Sequence, residues 1–159
     1  MQLRTFRFVA VAFVMVVSGT AFAQAPNPNI GMWKGNIAKS TFAPGTALKS
    51  FSTKVEAAGA GIKATVDSAT TDGTVRHWVY TVNYDSKDSP ITGNSQYGDT
   101  VAVTRVDANT TRSAYKSPGV ATVIQMTVVA PDGKTRTVTT KGKNAAGQAV
   151  DNLNFYDKQ

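Results

Sequence analysis

Between Ile30 and Tyr156 the chain alternates between short runs rich in valine and threonine and clusters of turn-forming residues. The turns fall at Gly59-Ala60-Gly61, Thr71-Asp72-Gly73, Asp85 to Pro90, Asp107-Ala108-Asn109, Ser117-Pro118-Gly119, Pro131-Asp132-Gly133 and Asn144 to Gly147. Several place Gly or Asn where a tight hairpin needs a positive φ. The runs between them are mostly about 8–12 residues, the spacing of an all-β meander. Val and Thr supply 40 of the 159 residues, whereas Leu occurs three times and Glu once. Branched side chains lose rotamer freedom in a helix and pack well on a pleated surface.

Ile30 to Ile37 reads as the first strand, and Ala38 to Gly45 as a turn or a single helical turn. In all, about nine strands are predicted. Short hairpins make sequence neighbours spatial neighbours. Nine antiparallel strands leave two exposed edges unless the sheet closes. The expected fold is therefore all-β: a single antiparallel up-and-down β-barrel of residues 30–159 with very little helix. A two-sheet sandwich is the runner-up, but it needs longer crossovers than this chain offers.

Alternation assigns faces. Trp78, Tyr80, Val82 and Tyr84 share the ringed face of one run, so that face is predicted to point inward. Val120, Ile124, Met126 and Val128 share the more apolar face of another. Arg105 lies on the face of Val101 and Val103, and Arg136 on the face of Val138.

The N-terminus carries a targeting signal by composition. Arg4 and Arg7 precede the apolar run Phe8 to Val17, and Ala21-Phe22-Ala23 supplies the small residues of a cleavage site. The run falls well short of the ~20 residues needed to span a bilayer. The expected segments are a cleaved signal peptide at 1–23, with cleavage after Ala25 as a second option, then a flexible lead-in at 24–29. Export to the periplasm or the extracellular space follows, without stable membrane insertion after cleavage. Removing 23 of 159 residues leaves 136, one domain's worth, with 15 basic and 10 acidic side chains. The absence of cysteine excludes disulfides, cysteine-zinc sites and c-type haem attachment.

Most site chemistries find no support. His77 is the single histidine, sits mid-strand on the outward face, and has no Gly-x-Ser-x-Gly elbow to serve. Asp85 and Asp88 flank a turn, where carboxylates are ordinarily solvated. Asp107-Ala108-Asn109 is too short for a calcium loop and fits an Asx turn. No phosphate loop is present. The Lys and Arg residues are scattered, apart from Lys141-Gly142-Lys143, which argues against a nucleic-acid partner. Asn109-Thr110-Thr111 matches a glycosylation acceptor by pattern alone. No enzymatic activity, metal or cofactor is expected.

Gly31-Met32-Trp33 on the first strand resembles the Gly-x-Trp opening of lipocalins and their calycin relatives. GMWKGNIAKSTFAPG, YDSKDSPITGN, PDGKTRTVTTKGKNAAG and the YDKQ end together resemble a group of small secreted bacterial lipocalin-like proteins, largely uncharacterised. The resemblance spans Gly31 to Gln159 and implies a barrel without implying an activity. In lipocalins the opening Trp packs under an Arg just after the last barrel strand. Here Gln148 to Tyr156 contains no Arg, and Arg136 lies one strand earlier.

Two constellations bear on function. Trp78, Tyr80 and Tyr84 either line a ligand cavity or fill the barrel. Arg105 and Arg136, if inward, need a partner: an internal Asp, water or a ligand carboxylate. Alternatively, both reach solvent along their stems from strand ends. The expected function is non-enzymatic binding of a small apolar or amphipathic, even anionic, molecule inside the barrel. Trp78, Tyr80, Tyr84, Ile124 and Met126 would form walls, and Arg105 and Arg136 would hold an acidic head. The alternative is a structural or protein-interaction barrel of the envelope with a solid core. A cavity of ~300 Å³ or more would mark a carrier.

Overall fold

A computed structural model describes residues 27–118 and 120–159. The expected signal peptide and the first residues of the expected lead-in lie outside them. Ten strands follow in order: β1 (Gly31–Thr41), β2 (Leu48–Ala58), β3 (Gly61–Thr70), β4 (Val75–Val82), β5 (Ser89–Gly93), β6 (Thr100–Arg105), β7 (Thr110–Ser117), β8 (Val120–Val129), β9 (Thr135–Lys143) and β10 (Ala149–Lys158). Each pairs antiparallel with its sequence neighbours, and β1 pairs with β10 to close the barrel. The described residues contain no helix. The architecture is the expected single up-and-down barrel, and closure rules out the sandwich.

The tenth strand arises because Asn94 to Asp99 interrupts one run between recognised turns. Asn94 replaces part of a backbone ladder with its side chain. Its Oδ1 accepts from the His77 amide at 2.6 Å, and its Nδ2 donates to the Val75 carbonyl at 3.1 Å. An amide side chain can carry both halves of a strand pairing, and Gly93 and Gly98, both at positive φ, flank the break.

Ala38 to Thr41 continues β1 instead of turning, and the turn comes only at Pro44-Gly45. The register with β10 shifts between Asn36 and Thr41. Ser40 bridges that irregularity: its hydroxyl donates to the Asn36 carbonyl at 2.7 Å and accepts from the Phe155 amide at 3.0 Å. The polar residues that suggested a turn thus satisfy a bulged ladder.

The inward faces form one core. Trp33, Val101, Tyr115, Val123, Val129 and Thr140 are fully buried. Phe51 meets Tyr156 edge-on at 4.8 Å, and Tyr97 meets Tyr115 at 5.4 Å. The described part of the lead-in is pinned to one end of the barrel, where flexibility was expected. Asn29 is buried, its carbonyl accepts from the Trp33 indole at 2.8 Å, and Asn27 Nδ2 donates to the Tyr84 hydroxyl at 2.7 Å.

Candidate functional site

The centre of the barrel holds a cavity of about 60 Å³. This is far below the ~300 Å³ of a typical small-molecule pocket. Aromatic side chains take up the rest of the interior, so Trp78, Tyr80 and their neighbours both fill the barrel and line what space is left.

Arg136 governs the chemistry of this space. It stands inward on β9, opposite Tyr156 of β10 and Val129 of β8. It is 4% exposed. Its guanidinium lies 4.8 Å from the Trp33 ring centre and 4.4 Å from that of Tyr156. Nη1 donates to Asn29 Oδ1 at 2.7 Å. Nε has no hydrogen-bond partner. No Asp or Glu lines the cavity, and among the described residues no ion pair includes Arg136. Burial lowers its pKa, while the Tyr156 and Tyr80 hydroxyls act in the opposite sense.

Three other buried donors lining the same cavity have no partner among the described residues: the Ser68 hydroxyl, the Trp78 indole N–H and the Asn154 amide. A buried donor without an acceptor forfeits roughly 1–3 kcal/mol of desolvation free energy. With Arg136 Nε, four elements (β3, β4, β9 and β10) each present such a group to one space. Burial also raises the pKa values of Tyr80 and Tyr115, keeping both hydroxyls protonated at neutral pH. The lining is thus rich in donors, and Arg136 is its only charged residue among the described residues.

Of the expected residues, Trp78, Tyr80 and Arg136 line this cavity, and Arg136 does not reach solvent from its strand end; the others do not line it. Arg105 folds back on its own hairpin, donating from Nε to the Asp107 carbonyl at 3.2 Å and from Nη2 to the Ala108 carbonyl at 3.0 Å. Those carbonyls lie within reach of a guanidinium at the strand end, so it does not turn inward. Tyr84 lies beyond the end of β4, with a positive φ of 59° that turns the chain away. It packs against the core and bonds Asn27 without lining the cavity.

Ile124 and Met126 are corrected outright: they face outward. Cross-strand partners share a face. Tyr115 must be inside, so its partner Val123 is inside too, followed by Gln125 and Thr127 opposite Ser113 and Thr111. On the other side Thr127 and Gln125 sit opposite the inward Val138 and Thr140. Large rings and a guanidinium already occupy the interior, which leaves β8 room for small or polar side chains. Ile124, Met126 and Val128 are left outside, and Val128 is 42% exposed.

Asn154, Ser68, Tyr97 and Tyr115 line the cavity but were missed. The alternation of Asn152, Asn154 and Tyr156 could have revealed Asn154. Nothing local marks Tyr97, which enters from the β5–β6 connection. His77 is on the outside, with its Nδ1 2.7 Å from Asp67 Oδ1.

One end of the barrel carries a polar depression of about 370 Å³ among the β1–β2, β3–β4, β5–β6 and β9–β10 connections. Gln96 lines both this depression and the central cavity. No protein-family model matches the chain, and no curated protein or solved structure does so either.

Proposed function

We propose that this is an exported, non-catalytic barrel protein that retains one small polar molecule at its centre, taken up past Gln96. The observation that carries the proposal is the convergence of four unpartnered, buried donors on one cavity. A barrel interior meant only as filler gains nothing from such groups, since apolar side chains of equal volume avoid their desolvation cost. At ~30 Å³ per water, the space matches about two waters or a polar molecule of similar size. The Arg136–Trp33 stack supports the proposed kinship with lipocalin-like proteins, with the arginine supplied by β9. Native mass spectrometry of protein purified from its own host tests the proposal. Retention of a small molecule supports it. A mass equal to that of the chain alone, with a crystal structure showing only water inside, overturns it.

A docking role in the envelope is favoured by a separate observation. A groove of about 570 Å³ crosses the outside of β1 to β4, lined by Met32, Ala69 and Val75 with Lys34 and Asp67. Met32 is 44% and Val75 68% exposed. Cross-linking in intact cells that captures no protein through this groove would exclude that role.

A further inference from the structure

From the charge and geometry of the cavity we infer that the retained molecule is an anion of the small oxyanion class, typified by formate or nitrate. The inference rests on the interior-binding proposal and adds the chemical class of the ligand.

A guanidinium removed from water needs a countercharge or a full set of acceptors. Arg136 has one side-chain acceptor in Asn29 and two aromatic faces. The ring faces stabilise positive charge but accept no in-plane hydrogen bond from Nε. No carboxylate lines the space. Among the described residues, the one formal charge lining this cavity is therefore positive.

The neighbouring groups have the same polarity. The register sets Tyr156 opposite Arg136 and Asn154 opposite Val138, so Asn154 sits one diagonal step from Arg136 on the same inner face. That separation is ~7–8 Å between backbones, within reach of two side chains meeting one small ion. The Trp78 indole can only donate. Arg136, Asn154, Trp78 and Ser68 thus present donors on several sides of a space too small for a fatty chain or a ring system. A planar ion with two or three acceptor oxygens satisfies a guanidinium edge and further donors together. A water pair would leave the charge unmatched.

Trp33 and Trp78 are the only tryptophans, and both bear on the site, so intrinsic fluorescence reports directly on it. The chain is titrated with sodium formate and, at matched ionic strength in sodium chloride, with formamide, a neutral molecule of the same size. A saturable fluorescence change and a raised Tm with formate alone are expected. Asn154→Asp places a carboxylate on the inner face beside Arg136 and should weaken the formate response at least about tenfold, the loss expected when one charge-assisted contact is replaced by repulsion. Arg136→Gln should do the same; if it fails to fold, Asn154→Asp carries the test. Equal responses to formate and formamide would overturn the anion inference while leaving interior binding in place. No response to either would overturn both. A formate response unchanged in folded Asn154→Asp would overturn the assignment to this cavity.

Discussion

At the scale of single residues, the interior is decided by who can approach whom. Gly35 stands inward on β1, and the Phe51 ring occupies the place where its Cβ would be. Phe51 also meets Tyr156 and Phe42 edge-on, so it cannot slide aside freely. Gly35→Ala is expected to destabilise the barrel by ~1–3 kcal/mol, the usual cost of overpacking. Urea unfolding measures it. Shortening the ring with Phe51→Leu should make the alanine cheaper than it is in the parent, so the two changes should not add. Simple additivity would show that Phe51 does not set the limit at Gly35. Arg136 follows the same logic with charge added: its neighbours are rings and amides because the barrel places no carboxylate within reach.

At the scale of elements, the hairpin joining β6 and β7 is organised by its own side chains. Asp107 accepts hydrogen bonds from the Asn109 and Thr110 amides, both at 2.8 Å. Arg105 holds the carbonyls of the same turn. The Asn109 amide bond, aided by Thr110 and Arg105, lowers the Asp107 pKa below its ordinary value. A lowered folded-state pKa means that the carboxylate's stabilisation is complete above the unfolded value of ~3.9 and is lost as the pH falls through the folded one. Amide hydrogen exchange at Asn109 and Thr110 should therefore accelerate, beyond its intrinsic pH dependence, as the pH drops below that range. Asp107→Asn keeps an acceptor and should remove this acid sensitivity. If the acceleration persists in that variant, the turn is not governed by Asp107. The Asx turn that the spacing of Asp107 and Asn109 suggested is thus present.

At the scale of the whole molecule, closure makes the barrel one cooperative unit, since every strand is bonded on both sides. The buried tyrosines make that unit sensitive to alkali. Burial raises the pKa values of Tyr80, Tyr97 and Tyr115 above the ordinary phenol value. Folding favours the protonated form, so their contribution is intact below ~10 and declines as the pH rises from there toward the folded-state values. Tyrosinate absorbance from these three should appear together with the loss of folded near-ultraviolet dichroism, in one step. Phe replacements at Tyr80 and Tyr97 should shift that step to higher pH. Ionisation of the three at ordinary phenol pH in a still-folded protein would contradict the packing.

The turn chemistry and the Val/Thr alternation by themselves determined the strands, the meander and, through the edge problem, the closed barrel. They also brought Trp78 and Tyr80 inward and set Arg136 on the face of Val138, because a period of two is written in the chain and a large ring shows its preference locally. Tertiary structure alone decided the face of β8, the break at Asn94 and the placing of Asn29, Tyr97 and Asn154 against the cavity. Each depends on a partner distant in sequence: β8 takes its face from Tyr115 and Arg136, Asn94 takes the place of a strand beside β4, and Asn29 answers a guanidinium more than a hundred residues away. The volume left inside is the sum of all these placements. A local pattern specifies which way a side chain points, whereas a cavity is what remains after every side chain has been placed.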